Sequence, residues 1–75
     1  MNLYLISQSI NTGYDTYDSA VVAAESENDA VLIHPSADYP DLGTWASIEN
    51  VSVKLIGTTT EGIKRGVICA SFNAG

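Results

Sequence analysis

Two pairs of aspartates have a spacing that could support chemistry. Asp15 and Asp18 are three positions apart, and so are Asp38 and Asp41. Such carboxylates can bind a divalent cation or transfer protons when they line a cleft. Turn-forming residues surround both pairs, which places them in surface loops, and the ordered oxygen ligands of a calcium loop are missing. We therefore expect neither a catalytic group nor a metal site at these aspartates.

The other reactive residue types occur singly or without partners. His34 stands before Pro35 at a predicted helix end, where a partner for the helix dipole is its expected role, and no second His or Cys lies near enough in sequence to complete a metal site. Cys69 is the single cysteine and lies in an apolar run, so we expect it to be buried and reduced. No serine elbow or phosphate-binding glycine loop is present. The sequence predicts no enzyme activity and no cofactor.

Aromatic residues are interleaved with the acids in both loops. Tyrosine offers a large, rigid contact area, and neighbouring carboxylates orient it toward lysine or arginine on a partner. We expect Trp45 instead to fold inward and complete an undersized core. The predicted partner-binding residues are Tyr14, Asp15, Tyr17, Asp18, Asp38, Tyr39 and Asp41.

Charge is distributed unevenly along the chain. Residues 1–53 contain eight acids and no Lys or Arg, for a net charge of −8, whereas residues 54–75 contain three bases and one acid, for a net charge of +2. An acidic surface repels phosphate, which disfavours direct binding to nucleic acid or to an anionic membrane, and it attracts a basic protein surface. The alternative is that these acids only keep a small protein soluble.

The length of 75 residues allows one domain, residues 1–75, with a single small core. Self-association would add burial that such a core cannot supply, and a homodimer is therefore one open outcome. The N-terminus has no basic segment and only a short apolar run, so we expect neither an export signal nor a membrane span. A reducing cytoplasm fits the single cysteine.

The elements that must position the loops are four strands and one helix. Strands are predicted at residues 3–8, 19–25, 51–56 and 67–72, and in the third of these Val51, Val53 and Leu55 share one face. Ser26 can cap a helix over residues 27–33 that Pro35 stops. The order β-β-α-β-β predicts an α+β fold, an antiparallel four-stranded sheet with one short helix across a face.

Three stretches of the sequence, residues 14–27, 33–35 and 66–75, resemble short hypothetical proteins of tailed bacteriophages and prophages. That resemblance implies a viral accessory protein in the cytoplasm of a bacterial host, and it brings no catalytic residues. In size, acidity and element order the chain also resembles the phage anti-CRISPR inhibitors, several of which occupy basic nucleic-acid channels. This second likeness implies acidic loops that replace DNA phosphates, as a DNA mimic does.

Three functions of different classes follow from these observations. The first is a non-catalytic inhibitor or modulator of host defence that docks its acidic, tyrosine-bearing surface on a basic host protein or nucleoprotein complex. The second is a structural or assembly protein that self-associates through a sheet edge. The third is a counter-defence protein that binds a small molecule in a deep pocket.

Overall fold

The computed structural model describes residues 1–37 and 41–74 and shows a four-stranded antiparallel sheet with one short helix on one face. The strands are β1 (Asn2–Ser7), β2 (Thr16–Ala24), β3 (Ser52–Thr58) and β4 (Gly66–Asn73), and the helix is α1 (Glu27–Ala30). Single 3₁₀ turns cover Leu42–Thr44 and Ile48–Asn50. The sheet order is β3-β1-β2-β4. The predicted α+β fold class is confirmed, and no helix of the described part reaches the length and hydropathy of a membrane span.

Strand β2 begins earlier in the chain than the sequence pattern predicts. It starts at Thr16 because Thr16 and Tyr17 pair with the last two residues of β4, Asn73 and Phe72. Threonine and tyrosine both suit a pleated, half-buried strand. The prediction that Tyr17 and Asp18 lie in a loop is therefore wrong, since both belong to β2.

Helix α1 has the predicted start but only one turn. The Ser26 side chain accepts a hydrogen bond of 3.1 Å from the Asp29 backbone N–H, which is the predicted N-cap. The helix ends at Ala30, and the expected continuation to Ile33 is wrong. A helix of one turn is not stable on its own, and packing of the buried Ala30 on the sheet stabilises it.

The core lies between the sheet and the segments that cross one of its faces, which we call the covered face. Trp45 is 4% exposed and belongs to this core, as predicted. Ile6 and Val22 are the largest fully buried side chains, so the core is small even for a chain of this length. Its buried members are Tyr4, Ile6, Ala20, Val22, Ala24, Ala30, Ile33 and Trp45.

The opposite sheet face, which we call the open face, carries an apolar row and a serine row. Leu5 pairs with Val21, and Val21 pairs with Cys69 across β1, β2 and β4. Cys69 is exposed, so the expectation that it is buried is wrong. Alternation along β4 predicts which residues share a face, but it does not reveal that this face lacks a covering layer. The neighbouring row consists of Ser52, Ser7, Ser19 and Ser71, one from each strand.

Candidate functional site

The two loops that carry the predicted site meet at one end of the sheet. The Asn11 side chain, in the β1–β2 connection, donates hydrogen bonds of 2.9 Å to the Gly43 carbonyl and 3.1 Å to the Trp45 carbonyl. The Gln8 side chain holds the same connection from inside, because its oxygen accepts from the backbone N–H groups of Ile10 and Asn11. The first loop is thus fastened to the segment that begins at residue 41.

A histidine joins the same two segments through its ring. The His34 ring lies edge-on to Tyr17 with centroids 6.4 Å apart, and its centroid is 6.5 Å from that of Trp45. Its Nδ1 accepts a 3.0 Å hydrogen bond from the Ser36 backbone N–H. Nδ1 therefore carries no proton, and the protonated Nε2 donates to the Asp41 carbonyl at 3.0 Å. The expected role of His34 as a dipole partner is wrong, because α1 ends at Ala30, and the ring instead links β2 to the second loop.

Three of the predicted aspartates lie in the described residues, all at this end. Asp15 is exposed at a backbone φ of 59°, a left-handed conformation that aspartate tolerates, and its N–H donates to the Asn73 carbonyl. Asp18 is exposed and accepts from the Ser19 hydroxyl at 3.2 Å. Asp41 is exposed and accepts from the Gly43 backbone N–H at 2.8 Å. The predicted residues Asp38 and Tyr39 lie outside the described residues.

The two described tyrosines of the predicted site differ in their surroundings. Tyr14 is 78% exposed at the loop tip. Tyr17 is half-buried against the core and packs on Phe72 with ring centroids 4.8 Å apart. Tyr14 therefore offers free contact area, whereas Tyr17 supports the strand beneath it.

Glu49 is an acid of this site that the sequence reasoning did not select. It lies in the 3₁₀ turn Ile48–Asn50, just before the start of β3. Because Ser52 pairs with Ser7 and Ser7 with Ser19, the start of β3 lies at the same end of the sheet as Asp18. Its position follows from strand pairing that is distant in sequence, and no local pattern around residue 49 could have shown it.

The acids at the two ends of the sheet have different neighbours. We call the end that holds Asp15, Asp18, Asp41, Glu49 and Tyr14 the acidic end. Along the strands, the described base nearest to it is Lys54, two residues after Ser52 in β3. The acids of the opposite end lie near the only Lys and Arg of the β3–β4 connection. That far end holds Glu25, Glu27, Asp29 and Glu61 together with Lys64 and Arg65.

An ion pair at the far end offsets part of the negative charge there. The Arg65 Nε donates to the Asp29 carboxylate at 2.7 Å, and the Arg65 guanidinium also reaches the Asp29 carbonyl at 3.4 Å. The hydrogen bond from Arg65 and a second from the Glu25 backbone N–H lower the pKa of Asp29 below its ordinary value of 3.8. Within residues 1–37 and 41–74 this is the one ion pair, so the carboxylates of the acidic end have no cationic partner in the described chain.

The grooves on the surface are small and largely apolar. One of about 210 Å³ lies beside the acidic end, between Leu32, His34, Trp45 and Ile48. Another, of about 340 Å³, is lined by His34 and Arg65 among apolar residues, and both polar side chains are already hydrogen-bonded. No three His, Cys, Asp or Glu side chains in the described ranges are grouped so that they could hold a metal ion.

Comparison with known proteins gives no match: none among the protein families, the curated proteins or the solved structures. The arrangement of charge and aromatic surface is therefore the basis for assigning a function. Its distinguishing feature is an end of the sheet with one highly exposed tyrosine and four described carboxylates that form no ion pair in the described residues.

Proposed function

We propose that the chain is a non-catalytic accessory protein of a bacteriophage or prophage that binds a basic surface of a host protein and inhibits or modulates it. The observation that carries this proposal is the acidic end, where Asp15, Asp18, Asp41 and Glu49 form no ion pair with a Lys or Arg in the described residues. Carboxylates without a cationic partner retain a field that attracts a basic surface over distances near the Debye length, about 8 Å at physiological salt.

Rigidity of the acidic end supports the same proposal. Asn11 and His34 connect the β1–β2 connection and β2 to the segment around Asp41. These contacts restrict the movement of the backbone that carries the carboxylates. A preordered surface loses less conformational entropy when it binds. Tyr14 adds an exposed aromatic contact of the kind found at the centres of protein interfaces.

A finer version of the proposal is that the acidic end occupies a nucleic-acid site on a host defence complex, as the likeness to anti-CRISPR inhibitors implies. Carboxylates then stand where phosphates bind, against lysine and arginine side chains. Competition with DNA for the captured host protein separates this version from docking on any other basic surface.

The test is affinity capture from a bacterial lysate with two charge-matched variants. The acidic-end variant carries Asp15→Asn, Asp18→Asn and Asp41→Asn, and Asn suits both the left-handed backbone at residue 15 and the turn at residue 41. The far-end control carries Glu25→Gln, Glu27→Gln and Glu61→Gln, an identical change in net charge. We expect the acidic-end variant to lose about tenfold or more of the captured partner, and the control to retain it. Equal loss in both variants, or loss in neither, contradicts the proposal.

A self-associating structural protein is the second candidate function. The observation that favours it is the exposed outer strand β4, in which six of eight residues are exposed. The geometry of that edge leads to the inference below.

A further inference from the structure

Strand β4 is an unprotected sheet edge. Its outer side has no strand partner in the described residues, so its outward backbone N–H and C=O groups are available for pairing. The strand runs for eight residues without a charge or a proline, and Ile68 and Phe72 are 49% and 46% exposed. A long, uncharged, apolar edge of this kind is a template for another strand.

The other sheet edge differs in charge. Strand β3 carries Lys54 near its middle, whereas β4 carries no charged residue. Both edges are irregular, because the pairing of β3 with β1 contains one register shift and the pairing of β4 with β2 contains two. Lysine on an edge strand opposes strand addition. Two β3 strands paired across a two-fold axis would also bring their Lys54 side chains near each other. The contrast makes β4 the edge at which the sheet can extend.

Charge at the two ends of β4 indicates which strand pairs with this edge. Lys64 and Arg65 precede the strand, and Arg65 is committed to Asp29. The strand ends at Asn73, whose carbonyl accepts from the Asp15 N–H and whose side chain donates to the Gly13 carbonyl at 3.0 Å. The start of β4 is therefore basic and its end adjoins the acidic first loop. A strand from a second copy that runs antiparallel places its Lys64 beside the Asp15–Asp18 segment, and two-fold symmetry forms this contact twice.

The small core adds a reason for a second copy. The largest side chains with no exposed surface are only Ile6 and Val22. Ile56, Ile63, Ile68 and Phe72 remain 40% or more exposed on or near the outer strands and their connection. Short domains with limited burial often complete their stability by association. Pairing of two β4 strands would shield Ile68 and Phe72, and it would continue the apolar row of Leu5, Val21 and Cys69 into the second copy.

We propose that two copies of this chain associate through antiparallel pairing of their β4 strands, which forms a continuous eight-stranded sheet. The strand is about 27 Å long at 3.4 Å per residue, so the contact falls at the low end of stable interfaces. The expected dissociation constant is on the order of micromolar. This inference does not depend on the proposed host-binding function, although the dimer contact places Lys64 of one copy beside the Asp15–Asp18 segment of the acidic end of the other.

Two lysine substitutions at opposite ends of one serine row test the edge. Ser71 lies on β4 and Ser52 on β3, in the same row of the open face, and both are exposed. In sedimentation equilibrium, Ser71→Lys is expected to raise the dimer dissociation constant about tenfold, because it puts two like charges into the contact, close to the middle of the paired strands. Ser52→Lys is expected to change the constant less than about twofold. Circular dichroism of both variants verifies that the fold is retained.

Three outcomes of that experiment overturn the inference. A wild-type chain that stays monomeric at about 1 mM has no such interface. Equal weakening by Ser71→Lys and Ser52→Lys would instead indicate that two open faces stack on each other. Weakening by Ser52→Lys alone would place the contact at β3.

A charge exchange tests the orientation and the identity of the partner copy. Lys64→Glu and Asp18→Lys are each expected to weaken the dimer about threefold, since each places like charges together across the two-fold axis. The double variant restores opposite charges, and its dissociation constant is expected to return close to that of the wild type. A double variant weakened by the product of the two single effects overturns the antiparallel arrangement.

Discussion

At the residue scale, His34 stabilises the fold, because it joins segments that the sheet hydrogen bonds do not connect. Its ring stands between Tyr17 and Trp45, and its two nitrogens accept from Ser36 and donate to Asp41. His34→Ala removes both hydrogen bonds and leaves a gap beside the core, so we expect unfolding in urea to need about 1–3 kcal/mol less free energy. Tyr14→Ala is the control, since it removes an exposed aromatic side chain from the same end, with an expected change within about 0.5 kcal/mol. Equal stability of the two variants would contradict the bracing role.

The Asp29–Arg65 pair gives a pH-dependent contribution to stability. Because hydrogen bonding to Arg65 lowers the pKa of Asp29 in the folded chain, the pair stabilises the fold at every pH above the ordinary value of 3.8. This contribution is lost as the pH falls through the lowered folded pKa. We expect Arg65→Gln to raise the pKa of Asp29 in an NMR titration of its carboxyl carbon, and to flatten the dependence of thermal stability on pH in the acid range.

Lys64→Gln is the control for that titration. It removes the same unit of charge from the neighbouring residue, and no described ion pair involves Lys64. The pKa of Asp29 is expected to move far less in this variant, because direct hydrogen bonding to the carboxylate is the largest cause of its shift. An equal rise in both variants would show that general charge, and not the bond to Arg65, lowers the pKa of Asp29.

At the scale of elements, the start of α1 depends on one hydroxyl. Ser26 accepts from the Asp29 N–H, whereas Ser47, which precedes the 3₁₀ turn Ile48–Asn50, makes no such cap bond. Ser26→Ala is expected to lower the free energy of unfolding by about 1 kcal/mol, and Ser47→Ala by less than about 0.5 kcal/mol. Chemical denaturation of the two variants measures the difference, and a larger loss for Ser47→Ala would refute the assignment of the cap.

The elements also show what the sequence can and cannot predict. Alternation of apolar residues gives the existence of the four strands, and Ser26 gives the start of α1, because both signals are local. The strand order β3-β1-β2-β4 rests on pairings between residues about 50 apart, such as Ser7 with Ser52, which local patterns do not specify. The sequence wrongly predicts that Cys69 is buried for the same reason, because the burial of a strand face depends on whether another layer covers it.

The sequence selects some residues of the acidic end, but it does not select Glu49 and does not give the geometry. The Tyr-Asp repeat singles out Tyr14 and Asp15 from sequence alone, and Trp45 is in the core as expected. Tyr17 packs inward because β2 begins at Thr16, a boundary set by pairing with β4. The bridge from Asn11 to Gly43 spans 32 positions of the chain and has no sequence signature.

At the scale of the whole molecule, the strand directions separate the charged residues between the two ends of the sheet. Strand β2 separates Asp15 from Glu25 by nine residues, roughly 30 Å at 3.3 Å per residue, which is several Debye lengths at physiological salt. The two ends therefore act on a charged partner independently. The acidic end has four described acids and no described ion pair, while the far end has four acids and two bases.

This polarity predicts where a generic polycation binds. We expect an oligolysine peptide, titrated into ¹⁵N-labelled protein at low salt, to shift the backbone amide signals of Tyr14, Asp15, Asp18 and Glu49 more than those of Glu25, Glu27 and Glu61. The reason is that Lys64 and Arg65 lie among the acids of the far end and repel the peptide there, whereas the acids of the acidic end form no ion pair in the described residues. Raising the salt concentration should remove the shifts, because exposed charges are screened beyond about 10 Å at 0.1 M. Shifts of equal size at both ends would contradict the polarity, and with it the physical basis for docking a basic host surface at the acidic end.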